Sequence, residues 1–198
     1  MKNIIFSISI VMLLCCGCKD DFLEVKPNKN LLIPKKLSDL QAILDNVPVM
    51  NNYPTLSTLA ADEIQLIDNS LTRVNAATAT AYLWLGDNYQ GMVISDWNQM
   101  YQQVFYANVV LDALVKIEEP TPTYNQLKGS ALFYRANAMF HLSLLFTKPY
   151  GQQHLDELGL PYPLVSDVNN RPRRSTISKM YQQLINDLSM LRNLAAAK

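Results

Sequence analysis

The chain has 198 residues, with 17 Lys and Arg residues against 17 Asp and Glu residues. This neutral balance argues against nucleic acid as a partner, because phosphate binding normally requires a basic excess or patch. Glycine is scarce, at 6 residues, whereas apolar stretches that contain Ala and Leu are common. The composition therefore predicts an all-α chain, since helices do not need the frequent glycine turns of a sheet protein.

All three cysteines, Cys15, Cys16 and Cys18, lie at the N-terminal end of the chain. The rest of the chain therefore has no cysteine for a disulfide framework or a thiolate zinc site. Its only imidazoles are those of His141 and His154, which argues against a histidine-rich metal site. We accordingly predict no metal and no cofactor.

Residues 1–17 have the pattern of a signal peptide. Lys2 precedes an apolar run, residues 4–14, which is shorter than the roughly 20 residues that a bilayer-spanning helix needs. A small residue, Gly17, stands directly before Cys18, as at a bacterial lipoprotein cleavage site. We predict that Cys18 becomes an acylated, palmitate-carrying N-terminus and tethers the protein to a membrane. An ordinary secretory signal with incidental cysteines is the alternative.

The next segments alternate between irregular chain and a short helix. Residues 18–35 are predicted to form an extended, lipid-anchored arm of mixed polarity. Residues 36–46 carry apolar side chains at helical spacing, which predicts a short amphipathic helix. Residues 47–56 are expected to be irregular, because Pro48 and Pro54 interrupt them.

Asp62 and Glu63 are the first candidate acids for catalysis. Adjacent carboxylates on a helix or turn face different ways, so they make a poor general acid and base pair. A glycosidase that used Asp62, Glu63 or Asp87 would need two carboxyl groups facing each other about 5–10 Å apart. We therefore predict a binding protein and not an enzyme.

An alanine-rich segment, residues 72–85, leads into a cluster of aromatic and polar residues. Gly86 and Gly91 mark a loop there. Aromatic rings stack on the apolar faces of sugars, while Asp and Asn side chains hydrogen-bond to hydroxyl groups, so the cluster suits carbohydrate. The alternative is that these aromatics cover the edge of the core beside a turn. The candidate ligand-binding residues are Tyr82, Trp84, Asp87, Asn88 and Tyr89.

Two long helices are predicted next, joined by a short connection. Ser95 is a good N-cap for a helix that runs to Glu118, and its apolar positions place Trp97 in a packing stripe. Prolines end that helix, and Thr123 is expected to open the following one. A short connection makes two such helices antiparallel neighbours.

The stretch from Leu127 to Gly151 is predicted to be the central helix, because it is the longest apolar run outside the leader. A helix that is apolar nearly all round is usually buried on several sides. A loop over residues 152–174 follows, which is too long for a simple connector. Ser175 or Thr176 is expected to cap a last helix over residues 177–194.

Four segments in chain order carry a family resemblance. The first segment, CKDDFLEVKP, starts at Cys18. The second and third are helical motifs. The fourth combines the proline loop LPYPLV, an Arg-Ser junction and MYQQLINDL. Together these segments resemble the SusD/RagB family of Bacteroidetes outer-membrane nutrient-uptake lipoproteins. The helical motifs match through Trp97, Tyr101, Val104, Ala107, Asn108 and Leu111, and through Arg135, Ala136, Phe140, Leu142, Tyr150 and Gly151.

The resemblance implies a tetratricopeptide-like scaffold of helix pairs with long irregular loops, in which residues 36–198 form the N-terminal helical domain. It implies a lipoprotein on the outer face of the outer membrane that binds glycan and works with a SusC-like TonB-dependent transporter. The alternatives are peptide capture by the same architecture and a scaffold that docks on the transporter without contacting ligand. Family members are usually more than twice this length, so we expect either a fragment or a truncated relative in which their C-terminal half is absent.

Two polar residues of the central helix have expected structural roles. Arg135 is predicted to pair with a carboxylate, because leaving a buried guanidinium unpaired would be costly. His141 is expected to lie on the helix face with a local hydrogen bond. Neither residue requires a catalytic role.

Overall fold

The computed structural model describes residues 34–67, 69–89, 91, 95–117 and 121–196. The predicted signal peptide, Cys18 and nearly all of the predicted arm lie outside these residues. Within them are seven α-helices, two short 3₁₀ helices at Ser70–Thr72 and Gln152–His154, and two strands, β1 at Leu158–Pro161 and β2 at Arg174–Thr176. The α-helices are α1 Leu37–Leu44, α2 Val47–Met50, α3 Thr55–Leu59, α4 Ala76–Tyr82, α5 Ser95–Leu114, α6 Pro122–Phe146 and α7 Ile177–Ala196.

The long helices α5 and α6 pack antiparallel, as the short connection predicts. Leu114 and Leu127 share one core cluster near the connection, together with buried residues of α1 and α2. Met100 and Leu142 share a second cluster at the other end, together with β1 and α7. Trp97 packs on this second cluster, which confirms its assignment to the packing stripe.

Helix α7 lies antiparallel on a second side of α6. The Ser143 hydroxyl lies 3.0 Å from the Tyr181 hydroxyl at one end of the pair. At the other end, a Cβ atom added to Gly129 would lie 3.0 Å from the Leu191 side chain. The absence of a side chain at Gly129 therefore lets α7 approach α6 closely there.

The prediction that neighbours bury α6 on several sides is confirmed, because α5, α7 and α1 all pack on it, but one strip of apolar side chains is exposed. Phe133, Phe140 and Leu144 are 46%, 41% and 58% exposed. They lie on the side of the helix that neither α5 nor α7 covers. Composition alone did not reveal this side, because its apolar residues resemble those of a buried face.

The chain before α4 is more helical than predicted, and the start of α6 is shifted. Residues 47–56 were expected to be irregular, yet they contain α2 and the start of α3, because proline fits the first turn of a helix. Thr121, and not Thr123, caps α6 by accepting a 3.1 Å hydrogen bond from the Tyr124 amide. Pro122 then occupies the first helical position, where its missing N–H costs nothing.

The expected loop over residues 152–174 contains β1 and leads into β2, which pair antiparallel. The strands have four and three residues, too few for an alternating sequence pattern to be recognised. Helix α7 begins directly after β2. The Thr176 hydroxyl accepts a 3.3 Å hydrogen bond from the Lys179 amide, so Thr176 caps this helix as predicted. None of the described helices is long and apolar enough to cross a membrane.

Candidate functional site

Trp84 is the most exposed member of the predicted ligand-binding cluster. Its side chain is 80% exposed, and its backbone has φ 55°, in the left-handed region. The amide of Trp84 donates to Ala81 at 3.2 Å, and the amide of Leu85 donates to Thr80 at 2.9 Å. These two bonds form a Schellman motif that ends α4, in which the left-handed position normally holds glycine.

A tryptophan at that position carries a conformational cost. The left-handed region costs an ordinary residue roughly 1–2 kcal/mol, because Cβ crowds the following carbonyl. Burial does not offset this cost, since most of the Trp84 side chain faces solvent. Backbone strain of this kind is concentrated at binding and catalytic sites.

Tyr82 and Tyr89 are half-buried, and each has a partner within the fold. The Tyr82 hydroxyl accepts a hydrogen bond from the Leu66 amide at 3.3 Å. The Tyr89 ring stacks on Phe146 of α6, with centroids 5.9 Å apart and planes inclined by 24°. Phe146 also contacts the Trp97 ring edge-on at 5.1 Å, so Tyr89 belongs to an aromatic group that holds its segment against α5 and α6.

Burial also changes the acidity of Tyr89. Partial burial, with a smaller contribution from the charge of Asp96, raises the pKa of Tyr89 to about 12. Its hydroxyl therefore stays neutral at physiological pH and can both donate and accept hydrogen bonds.

Asp87 and Asn88 form the polar part of the cluster. Asp87 is exposed, and its carboxylate accepts a 3.1 Å hydrogen bond from the Tyr89 amide, which forms an Asx-type turn. Asn88 is half-buried, and its Oδ1 atom is buried and accepts no hydrogen bond from the residues that the structure describes. The structure thus separates the five predicted residues into an exposed pair, Trp84 and Asp87, and three half-buried ones.

A polar cavity of about 240 Å³ adjoins this segment, and sequence reasoning missed it. Tyr89 lines it, together with Asn75 and Thr78 of α4 and Asp96 of α5. Asp96 is buried, and its two carboxylate oxygens accept from the Thr55 and Leu56 amides at 3.1 and 3.2 Å, capping α3. The only sequence signal for this cavity was that Asn75 and Asp96 stand at the beginnings of two helices.

The acidic residues that the sequence offered as candidates for catalysis lie at the surface. Asp62 and Glu63 are both exposed in a turn between α3 and α4. Among the described residues, no group of three or more His, Cys, Asp or Glu side chains is placed to hold a metal ion.

A comparison with protein-family models matches residues 21–197 to the SusD-like family, described as "Starch-binding associating with outer membrane". The chain belongs to this SusD-like family. The comparison with curated proteins found no match.

Solved structures of the SusD superfamily share the fold of this SusD-like chain. A crystal structure from Bacteroides vulgatus ATCC 8482 has a TM-score of 0.66 at 20% identity and covers 81% of this chain. Another, from Bacteroides thetaiotaomicron VPI-5482, has a TM-score of 0.60 at 24% identity and covers 80%. The predicted all-α, tetratricopeptide-like class is thereby confirmed. The chain spans only 38% and 37% of the length of these two structures.

The motifs that carry the family resemblance meet in a buried polar network. Arg135 of α6 binds Asp187 of α7 and also donates to Asn108 of α5 at 2.9 Å. Asn108 in turn donates to the carbonyl of Pro163 at 3.0 Å, and Tyr162 donates to Asp187 at 3.0 Å. The predicted carboxylate partner of Arg135 is therefore confirmed, and the network fixes the proline loop on the helices.

His141 differs from its expected role. It makes no hydrogen bond with the described part of the chain, and its ring instead meets the Tyr53 ring edge-on at 5.3 Å. Burial lowers the pKa of His141, so the fold favours its neutral form. An aromatic contact replaces the expected local hydrogen bond, because Tyr53 from the chain before α3 packs over the helix there.

Proposed function

We propose that this chain is a glycan-binding, non-enzymatic lipoprotein of the outer-membrane surface, and that it works with a SusC-like TonB-dependent transporter in oligosaccharide or polysaccharide uptake. Trp84 supplies the stacking surface of the glycan site, and Asp87 supplies a polar contact beside it. Asn88 and Tyr89 form the base of the site next to the polar cavity, while Tyr82 supports the turn from behind.

The exposed ring of Trp84 on a strained turn is the observation that carries this proposal. A large aromatic side chain that faces solvent offers the flat apolar surface on which a sugar ring stacks. The Schellman motif fixes the backbone beneath it, so little conformational freedom of the main chain is lost on binding. The description of the family as starch-binding supports a polysaccharide as the first ligand to test.

Membrane attachment rests on the sequence and on the family description. The Gly17 and Cys18 pair supports acylation at Cys18, and the family is described as associating with the outer membrane. The acidic residues Asp20 and Asp21 directly behind the cysteine resemble an export signal to the outer face. The transporter partnership follows from the family resemblance.

Affinity electrophoresis tests the glycan site. The protein would be run in native gels that contain starch or other polysaccharides, beside Trp84→Ala and Trp84→Gly variants. We expect the wild type to be retarded and both variants to bind about tenfold more weakly or worse, as when a central aromatic anchor is removed. Val115→Ala is the matched control, because Val115 is an apolar residue of equal exposure, 81%, at the end of α5.

Two outcomes of the electrophoresis would contradict the proposed glycan site. Wild-type protein that no polysaccharide retards would rule out glycan binding by this chain. Retardation that Trp84→Ala leaves unchanged would place the glycan elsewhere. Co-purification with a TonB-dependent transporter from membranes that contain both proteins tests the partner, and its absence would argue against the uptake complex.

A helical scaffold without ligand contact is the second candidate, and the packing of two tyrosines favours it. The partners of Tyr82 and Tyr89 within the fold give both residues a structural reason to be present. A scaffold would co-purify with the transporter, whereas the electrophoresis would show no retardation. If the same architecture captures peptides, the protein would be retarded by no glycan but would bind members of a peptide library.

A further inference from the structure

The chain is neutral as a whole, but the segment that carries the candidate glycan site is acidic. Residues 55–96, from α3 to the first turn of α5, contain five acidic residues and one basic residue, which gives this segment a net charge of −4. The acidic residues are Asp62, Glu63, Asp68, Asp87 and Asp96, and the basic residue is Arg73. A local excess of one charge sign affects which charged ligands approach a surface.

Asp62 and Glu63 lie near the end of α4 at which Trp84 stands. Both are exposed, in the turn that leads to Leu66. The Leu66 amide donates to the Tyr82 hydroxyl at 3.3 Å, and Tyr82 is the last residue of α4. Glu63 precedes Leu66 by three residues, which span at most about 10 Å of chain. The Tyr82 hydrogen bond therefore holds these two charges close to the turn that contains Trp84.

Two further carboxylates follow Trp84 in the chain. Asp87 is exposed and lies three residues after Trp84, again at most about 10 Å along the chain. Asp96 is buried and lines the polar cavity together with Tyr89. Burial raises the pKa of Tyr89, and the charge of Asp96 adds to this effect, so a negative potential reaches the base of the site.

The one basic residue of the segment lies away from Trp84. Arg73 precedes α4, whereas Trp84 follows its last turn, and the seven residues of this helix span about 10 Å at 1.5 Å per residue. The end of α4 near Trp84 also has the negative pole of the helix dipole. The backbone and the side chains of the segment thus contribute potential of the same sign at the ring.

The core beside the site does not compensate for this charge. Lys148 lies two residues after Phe146, the ring on which Tyr89 stacks. Its ammonium group forms an ion pair with Glu157 at 2.9 Å, so the two side chains together add no net charge.

We infer that the glycan site at Trp84 selects its ligand by charge, admitting uncharged glycans and rejecting those that carry carboxylate or sulfate groups. This inference rests on the proposed function, because it concerns the ligand of the same ring. An acidic sugar stacked on Trp84 would place its charge near several carboxylates, and the repulsion would weaken binding most at low ionic strength. These carboxylates belong to the segment that holds Trp84, so they act on its ligand whether or not other protein packs on the fold.

Matched uncharged and acidic ligands test this selection. The full chain would be bound in 10 mM salt to beads that carry starch, hydroxyethyl starch or carboxymethyl starch. Hydroxyethyl starch controls for the bulk of the substituent. We expect carboxymethyl starch to bind at least about fivefold more weakly than hydroxyethyl starch. In 1 M salt, where the Debye length is about 3 Å, the two ligands should bind alike.

Removing charge beside the site should relax the selection. Asp62→Asn combined with Glu63→Gln keeps the shape of two exposed side chains, so it should leave starch binding unchanged. The same double variant should strengthen binding of carboxymethyl starch in 10 mM salt at least about twofold. Asp45→Asn combined with Asp167→Asn is the matched control, because it removes two exposed charges after α1 and in the loop after the proline loop. It should change neither ligand.

Quenching of tryptophan fluorescence measures the potential at the ring without any glycan. The sequence has two tryptophans, of which Trp84 is 80% exposed and Trp97 is half-buried. The Trp97 signal, measured in Trp84→Phe, is subtracted, and each quenching constant is divided by that of free N-acetyltryptophanamide. Caesium ions should then quench Trp84 at least about twofold better than iodide ions. Asp62→Asn combined with Glu63→Gln should bring this ratio closer to one.

The outcomes separate this inference from the proposed function. If carboxymethyl starch binds as tightly as hydroxyethyl starch in 10 mM salt, the inference is overturned and the glycan site stands. A difference between the two ligands that 1 M salt does not remove would also overturn it, as would iodide quenching that equals or exceeds caesium quenching. If no polysaccharide binds, the proposed function fails, and the inference about its ligand fails with it.

Discussion

Arg135 and Asp187 form a bidentate ion pair across α6 and α7. Arg135 donates from Nε and from Nη2 to the two carboxylate oxygens of Asp187, and both distances are 2.7 Å. Both side chains are buried, with 6% and 0% of their surface exposed. The pair is the centre of the polar network that joins α5, α6, α7 and the proline loop, so its geometry sets how these elements sit on one another.

Removing one partner of this pair should destabilise the protein strongly. Asp187→Leu or Arg135→Met leaves the other charge buried and unpaired, which costs about 3–5 kcal/mol in comparable pairs. The double variant should be less destabilised than the sum of the two single variants, because no charge is left uncompensated. Urea unfolding followed by circular dichroism measures all three.

The exposed pair Lys148 and Glu157 provides a control for that experiment. Their charged atoms lie 2.9 Å apart, but the two side chains are 59% and 40% exposed. Lys148→Met should therefore leave the unfolding midpoint almost unchanged. A similar loss for Lys148→Met and Arg135→Met would contradict the special role of the buried pair.

Replacing Trp84 by glycine should stabilise the fold, whereas alanine should not. Glycine removes the left-handed penalty of roughly 1–2 kcal/mol, against a loss of about 0.5–1 kcal/mol from its greater freedom in the unfolded chain. The expected net gain is about 0.5–1 kcal/mol for Trp84→Gly. Trp84→Ala keeps Cβ and thus most of the strain, so equal unfolding free energies for the two variants would refute this account.

The stability of the fold should decline as the pH falls below about 6.5, the ordinary pKa of histidine. Burial lowers the pKa of His141 in the folded state, so the unfolded chain binds a proton first. The free energy of unfolding therefore decreases as the pH falls through this range and is retained above it. Urea midpoints measured from pH 8 to pH 5 should show this decline.

His141→Gln should flatten that part of the pH profile, because glutamine does not titrate. His154→Gln serves as the control, since it removes the other imidazole and leaves His141 in place. An NMR titration of the His141 ring would locate its pKa directly. A midpoint at or above the ordinary histidine value would contradict the prediction.

Acylation should depend on Cys18 and not on the cysteines before it. When the full chain is expressed in a Bacteroides host with labelled palmitate, the wild type should carry the label and partition with membranes. Cys18→Ala should lose both properties, because the remaining leader is too short to span a bilayer stably. Cys16→Ala should keep both, and loss of label from Cys16→Ala alone would move the cleavage site.

The long helices were predictable because their apolar residues recur at helical spacing over many turns. The short connection between α5 and α6 also correctly indicated that these two helices are antiparallel neighbours. The need of Arg135 for a carboxylate partner also followed from its position in an apolar helix. The identity of the partner did not follow, since Asp187 is 52 residues away in the chain.

The candidate site was harder to predict, because its features depend on contacts between distant segments. The Tyr89 ring stacks on Phe146, and the Tyr82 hydroxyl accepts a hydrogen bond from the Leu66 amide. The left-handed backbone of Trp84 was also hidden, since tryptophan is not a residue that normally signals such a turn. Trp84 and Asp87 are the members of the predicted cluster that are exposed to solvent.

The pairing of β1 with β2 makes the exposed loop that follows Ser166 a suitable insertion point. The ladder pairs Pro161 with Arg174, and the Ser166 amide and hydroxyl bind Asp112 of α5 at 2.7 Å each. Residues 167–171 are all exposed, so their backbone contributes little to packing. Because the flanking contacts hold the two ends of the loop, an epitope tag or a fluorescent domain placed there should leave the helices intact. Such a tag would allow the protein to be followed in living cells.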